Sequence, residues 1–81
     1  MEKRIGALLI VIKNKDHVQQ LNAILSEQSP VIIARQGIPL KEKSVSIISL
    51  VVEGTTDEIS TLSGKLGRLE GITVKSVLAK D

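Results

Sequence analysis

The sequence predicts an α+β domain with the ferredoxin-like order βαββαβ, in which two helices cover one face of a four-stranded antiparallel sheet. Two amphipathic segments alternate with four apolar, β-branched segments, and a separate stop signal closes each amphipathic segment. With 81 residues the chain has room for one domain, which we place at residues 1–81. A second core would need roughly 50 further residues.

The chain begins with a predicted strand and a predicted helix. Ile5 to Ile12 is apolar at both odd and even positions, so both faces of a strand here would be apolar. This is typical of a central strand covered on both faces. Asn14 to Asp16 then forms a turn, and we expect Asp16 to cap the helix that follows. That helix has one apolar stripe and should end near Ser29-Pro30, because the residue before a proline resists the α conformation. The stripe consists of Val18, Leu21, Ile24 and Leu25.

The second strand should run from Val31 to Ala34 and continue through Arg35 and Gln36. Gly37 and Pro39 are expected to bend the chain, and Leu40 to Lys43 to form a polar connection.

The second half of the chain repeats the pattern. Val45 to Glu53 is predicted to be the third strand, again apolar on both faces. Thr55 and Glu58 have the spacing of a capping box, so a helix should start there, and Gly71 should stop it. Ile72 to Ala79 closes the sheet. The helix carries its apolar residues at three- and four-residue steps, namely Ile59, Leu62, Leu66 and Leu69.

One face of this sheet is left without a helix. Strands one and three normally lie at its centre. Leaving about six of their aliphatic side chains exposed to water would forfeit roughly 1.5–3 kcal/mol of stabilising free energy for each side chain. That loss is large for a domain of this size. We therefore predict self-association as a homodimer or homotetramer, with subunits packing sheet against sheet or joining sheet edges.

Composition excludes several classes of function. Aromatic residues make up 0% of the chain, so it cannot stack bases or build the aromatic cages and grooves that hold methyl-lysine or proline-rich peptides. The chain contains no cysteine, so disulfides, thiolate catalysis and the usual zinc sites are excluded. His17 has no second histidine beside it, so we expect neither a metal nor a cofactor.

Charge and hydropathy narrow the partners further. The net charge is +2 and the basic residues are scattered, so nucleic-acid binding by the domain alone is not expected. The apolar run at Ile5 to Ile12 is too short for a membrane span. Polar residues, Lys13 to Asp16, follow it in place of the small-residue cleavage site of a signal peptide, so a buried strand is the better interpretation. We expect a cytoplasmic protein without a membrane partner.

The second helix contains a Gly-Lys pair and several small residues. Lys65 is followed by Leu66 in mid-helix, so the phosphate-loop interpretation is rejected. Glycine destabilises a helix interior by about 1 kcal/mol relative to alanine. The small residues therefore indicate close packing against the sheet or a neighbouring subunit, with a ligand against the backbone as the alternative; they are Ser60, Ser63, Gly64 and Gly67.

The end of the second strand has two interpretations. Arg35 to Pro39 is an edge-strand bend, or Arg35 offers its two-pronged guanidinium to a carboxylate or phosphate at a subunit interface.

Five motifs give the chain a family resemblance, and the helix motif is the most distinctive of them. They are Arg35-x-Gly37-x-Pro39, Ser46-Ile47-Ile48, Leu50-Val51-Val52, Ile59-x-x-Leu62-Ser63-Gly64-Lys65-Leu66-Gly67 and Gly71-x-x-Val74-Lys75. With these motifs the sequence resembles the iron-only hydrogenase system regulators, small stand-alone domains of anaerobic bacteria. The resemblance runs from Lys3-Arg4 through Lys75. The family is similar in fold to ACT domains and to the C-terminal domain of the nickel-responsive repressor, which assemble as oligomers and sense a small ligand.

The resemblance implies a non-catalytic, ACT-like oligomeric regulator of transcription or of a hydrogenase system, with a small-molecule effector at a subunit interface. By analogy with ACT-like domains, the ligand-binding residues would be Asn14, Asp16, His17, Arg35 and Gly37. The resemblance does not imply nickel sensing. The nickel-responsive repressors bind the metal through several histidines and a cysteine, whereas this chain has one histidine and no cysteine. The alternatives are a ligand-free module that binds a protein partner, and DNA binding by the assembled oligomer.

Overall fold

The computed structural model describes residues 2–79, and its elements follow the predicted order. The strands are β1 (Arg4–Ile12), β2 (Ile32–Leu40), β3 (Val45–Gly54) and β4 (Ile72–Leu78). The helices are α1 (Val18–Glu27) and α2 (Thr56–Gly67). The strands form one antiparallel sheet in the order β2-β3-β1-β4, which confirms the ferredoxin-like fold with β1 and β3 at the centre.

The core lies between the two helices and one face of the sheet. Side chains alternate between the two faces of a strand, so every second residue of β1 and β3 points to the helices. The apolar stripes of both helices pack against these residues, as their spacing predicts. The side chains with the lowest exposure are Leu8, Ile10, Leu21, Leu50, Val52, Leu62 and Leu66.

The capping box of α2 is confirmed. The Glu58 N–H donates to Thr55 Oγ1 at 3.1 Å, and the Thr55 N–H donates to Glu58 Oε1 at 2.8 Å. These bonds satisfy two N–H groups that the first helical turn leaves without intrahelical partners. The Thr55 N–H favours the charged carboxylate and holds the pKa of Glu58 below its ordinary value.

Gly71 does not stop α2, so that prediction is wrong. The helix ends at Gly67, and a tight turn follows in which the Leu69 N–H donates to the Leu66 carbonyl. Gly71 lies at the end of this turn with φ +80°. A Cβ at this position would lie 2.5 Å from Asn14 Cβ, so only glycine fits the entry into β4.

Asp16 does not cap α1, which is a second correction. A single 3₁₀ turn, Lys15–His17, precedes α1 and moves the start of the helix to Val18. Asn14 Oδ1 accepts a hydrogen bond from the Asp16 N–H at 2.8 Å and thereby caps this turn. His17 occupies the N-cap position of α1 without a side-chain hydrogen bond. The Asp16 side chain is exposed.

The bend expected at Gly37 and Pro39 is absent, because β2 continues through both residues to Leu40. Gly37 pairs with Ile48 and Pro39 with Ser46. A proline is tolerated here because β2 is an edge strand with one unpaired side. The irregularity lies earlier, as a register shift between Ile32 and Ala34.

The sheet face opposite the helices is apolar and uncovered. Adjacent residues of β1 show the contrast: Leu8 is 1% exposed and Leu9 is 47% exposed. Both faces of β1 and β3 therefore carry apolar side chains, as predicted. Within residues 2–79, only the face toward the helices is covered. We call this surface the open sheet face; its exposed large aliphatics are Ile5, Leu9, Ile38, Val51 and Val77.

Candidate functional site

A groove of about 440 Å³ lies between the start of α1 and the edge strand β2. We call it the β2 groove. Arg35 pairs with Leu50 and Gly37 with Ile48, and both partners are buried beneath the helices. Arg35 and Gly37 therefore lie on the helix side of the sheet, where they line the groove.

The floor of the groove is open at Gly37. Among the described residues, no atom outside its chain neighbours lies within 4 Å of the point that a Cβ would occupy. Any larger side chain there would project into the groove. Val18 of α1, Ile12 of β1 and Ile48 of β3 supply apolar lining around it.

Two cationic side chains, Lys15 and Arg35, line the β2 groove, and no lining residue is acidic. Lys15 comes from the 3₁₀ turn before α1 and Arg35 from β2. Within residues 2–79 the one ion pair is elsewhere, between Lys65 and Glu27, so neither groove cation has a carboxylate partner there. Asn22 and Ser46 add an amide and a hydroxyl to the lining. The groove is therefore a positively charged, partly apolar concavity.

Two residues of the groove lining also belong to the open sheet face. Its lining includes Ile38 of β2 and Ile47 of β3, which pair with each other across the sheet. Both belong to the parity that points away from the helices. The groove and the open sheet face are therefore opposite surfaces of the same two residue positions.

The structure brings together only part of the predicted ligand-binding set. Arg35 and Gly37 line the β2 groove, whereas Asn14, Asp16 and His17 do not. The Asn14 side chain is used in the turn before α1, Asp16 is exposed and His17 is half-buried.

Three polar lining residues are absent from the predicted set: Lys15, Asn22 and Ser46. Asn22 follows Val18 by four residues and therefore shares its helix face, a signal that the sequence does contain. Ser46 belongs to one of the motifs of the family resemblance, but nothing in the sequence marks it as a binding residue. It joins the groove only because β3 pairs with β2.

At Gly64 and Gly67 of α2, the expected close packing against the sheet is absent. Gly64 and Gly67 are exposed, and among the described residues nothing lies within 4 Å of a Cβ placed on either one. Ser60 is exposed and Ser63 is half-buried. The buried side of α2 is formed by Ile59, Leu62 and Leu66 instead. Packing of the small residues against a neighbouring subunit stays a prediction.

The lysine of the same segment joins the two helices. Lys65 Nζ donates to Glu27 Oε1 at 2.8 Å. This hydrogen bond and the positive charge of Lys65 hold the pKa of the Glu27 carboxyl below its ordinary value.

The part of the chain that the structure describes holds no group of three or more His, Cys, Asp or Glu side chains arranged to bind a metal ion. No helix there is long and apolar enough to cross a membrane.

Residues 4–76 match the model of the TM1266-like family, which is described as an iron-only hydrogenase system regulator. The chain belongs to this family. A solved structure of the uncharacterized protein TM1266 from Thermotoga maritima is 40% identical, with a TM-score of 0.92 over 98% of this chain and 100% of that one. The resemblance predicted from the Arg35 and Lys65 motifs is therefore confirmed.

A second solved structure shares the fold with this TM1266-like protein. The divalent ion tolerance protein CutA1 from Ehrlichia chaffeensis matches 100% of this chain and 86% of its own, with a TM-score of 0.51 and 11% identity. At that identity the likeness shows the fold alone. A search among curated proteins gave no match.

Proposed function

We propose that this TM1266-like protein is a non-catalytic regulatory domain that works as a homo-oligomer, with a small-molecule site beside the subunit interface. The observation that supports this proposal most is that the β2 groove and the open sheet face share two residues, Ile38 and Ile47. The family description supports the regulatory role. A ligand in such a groove would contact the same residues that a second subunit covers.

The open sheet face supports a second copy of the chain as the partner. Fully burying one aliphatic side chain contributes about 1.5–3 kcal/mol, and Leu9 and Val51 are among several candidates on this face. Two sheets pack face to face in this way at about 10 Å. The face also carries one charge of each sign, Glu53 and Lys75, and a twofold axis allows such residues to pair between copies.

The groove chemistry supports binding over catalysis. No carboxylate or imidazole lines the groove within the described part of the chain, so it offers neither of the commonest proton acceptors. Its polar groups are two cations, one amide and one hydroxyl (Lys15, Arg35, Asn22 and Ser46). These groups suit recognition of a charged ligand.

Disulfide cross-linking tests where the subunits meet. The chain contains no cysteine, so a disulfide between two copies that each carry one introduced cysteine can form only at that position. Ala7→Cys places a thiol on the open sheet face, and Gln20→Cys places one on the exposed side of α1 as the matched control. We expect the Ala7→Cys protein to form covalent dimers much faster under mild oxidation. Equal rates would contradict assembly through this face and would favour a module that binds a different protein.

A further inference from the structure

We propose that the β2 groove binds a small organic anion, made of one carboxylate or phosphate group on a short aliphatic body. The proposal rests on the proposed function, because it names the chemical class of ligand for that same site. Charge, shape and lining chemistry each contribute to it.

Lys15 and Arg35 make the groove positively charged. Both line the groove and neither has a carboxylate partner within residues 2–79, so their positive charges are available to a ligand. Asp16 neighbours Lys15 in sequence but lies outside the lining. The planar fork of an arginine matches a carboxylate or phosphate with two parallel hydrogen bonds. A cationic ligand would be repelled here.

The floor and the volume of the groove suit a small molecule. The groove encloses about 440 Å³, within the range of roughly 300–1,000 Å³ that is typical of small-molecule sites. Because Gly37 has no side chain, a ligand can approach the backbone of β2.

The lining chemistry defines the rest of the ligand. The apolar lining at Ile12, Val18 and Ile48 is aliphatic, and the chain holds no aromatic residue on which a flat ring could stack. An aliphatic body would bury apolar area against these side chains, while Asn22 and Ser46 can hydrogen-bond to the acidic group or its neighbours.

Four probes separate the parts of this proposal. Isocaproate and isoamyl phosphate carry the two acidic groups on matched branched bodies. Isocaproamide keeps the body without the charge, and inorganic phosphate keeps a charge without the body. Binding is followed by ¹H–¹⁵N chemical shifts, with the amides of Gly37 and Val18 as reporters of the groove. We expect at least one organic anion to bind at least about tenfold more tightly than isocaproamide and inorganic phosphate.

The pattern of probe affinities decides the class of ligand. Tighter binding of isocaproate identifies a carboxylate site, and tighter binding of isoamyl phosphate identifies a phosphate site. Equal binding of isocaproamide would overturn the charge argument, and equal binding of inorganic phosphate would overturn the argument for an aliphatic body.

Two variants test the groove itself. Among the described residues, nothing lies within 4 Å of a Cβ at Gly37, so we expect Gly37→Val to stay folded, to fill the floor and to lose binding. Arg35→Gln should weaken binding of the organic anion at least about tenfold, with partial rescue by Arg35→Lys. Arg68→Gln removes the same charge from an exposed position outside the groove and should bind like the wild type. Wild-type affinity in Gly37→Val would overturn the proposal.

Light scattering on the same samples separates this proposal from the proposed assembly. An oligomer that binds none of the four probes at the groove would overturn the anion site and leave the assembly standing. A monomer that binds the organic anions through Arg35 would support the anion site and contradict the assembly.

Discussion

The two faces of the central sheet are built from the same kinds of residue and have opposite surroundings. Leu8 and Leu9 are neighbours in β1, yet one is 1% exposed beneath the helices and the other is 47% exposed on the open sheet face. Both parities are aliphatic, so hydrophobicity alone does not distinguish them. What differs is that α1 and α2 both pack on one side.

This difference is the basis for the proposed assembly through the open sheet face. The helix side is a complete core of the chain's own residues, whereas Ile5, Val51 and Val77 on the other side stay exposed. Several large aliphatic side chains exposed on one face are typical of interaction surfaces, and they support the proposed assembly. The experiments below compare the two faces and then examine the helix side alone.

The largest difference in the free energy of unfolding is expected between Leu8→Ala and Leu9→Ala. Removing the buried Leu8 side chain leaves a cavity, and we expect the free energy of unfolding to fall by about 2–5 kcal/mol. Leu9→Ala removes the same atoms from the open sheet face, so its cost should be smaller and should depend on protein concentration. Urea unfolding at two concentrations measures both. If both variants lose the same free energy of unfolding at both concentrations, the result contradicts the difference between the two faces.

A charge on the open sheet face should break the assembly and leave the fold intact. Val51 is exposed in the chain, so Val51→Lys should keep the wild-type far-ultraviolet circular dichroism. At a subunit interface the lysine would be buried without a partner, and we expect the dissociation constant to rise by about a hundredfold or more.

Gln20→Lys, on the exposed side of α1, adds the same charge as a control and should leave the dissociation constant unchanged. Sedimentation velocity measures the constants. An unchanged value in Val51→Lys would place the interface elsewhere.

The capping box belongs to the helix side, so its effect should not depend on protein concentration. Thr55→Ala removes the side-chain acceptor for the Glu58 N–H, and we expect the free energy of unfolding to fall by about 1 kcal/mol. Thermal unfolding at two concentrations checks this. A loss that changes with concentration would connect α2 to the subunit interface.

Glu58 should also give the helix side a dependence on pH. Its pKa is lowered in the folded state, so its contribution is present above the ordinary value of 4.5 and is lost as pH falls through the folded-state value. Glu58→Gln keeps a hydrogen-bond acceptor without the charge, so this component should vanish. Unfolding measured from neutral to acid pH in both proteins tests the assignment. An unchanged acid dependence in Glu58→Gln would assign it to other carboxylates.

The smallest effect is expected for the ion pair that joins α1 and α2. Lys65 and Glu27 are both substantially solvent-accessible, and such pairs contribute little and are screened by salt. Lys65→Gln should lower stability less than Thr55→Ala does, and the difference from wild type should disappear in concentrated sodium chloride. A loss that persists in high salt would indicate that packing of the Lys65 stem matters more than its charge.

Local patterns predict much of this fold, and pairing between distant segments explains the errors. The capping box at Thr55 and Glu58 follows from spacing within one helical turn. The bend expected at Gly37 and Pro39 is wrong because a strand partner, β3, keeps that segment extended. The stop expected at Gly71 is wrong because that glycine is needed where the chain passes close to Asn14.

The candidate site depends more heavily on tertiary structure. Arg35 and Gly37 could be selected from sequence, but Asn22 and Ser46 reach them only when α1 and β3 pack beside β2. The same holds for the open sheet face. The pattern shows that its residues are apolar, and the placement of both helices shows which ones stay uncovered.

The most direct test of self-association through the open sheet face is the mass of the full chain in solution. Light scattering coupled to size exclusion at micromolar concentration, on wild type and Val51→Lys together, gives this mass. We expect at least twice the chain mass of 8.7 kDa for the wild type and a shift toward 8.7 kDa for the variant. A monomeric wild type would contradict self-association, and a variant with the wild-type mass would contradict the assigned face.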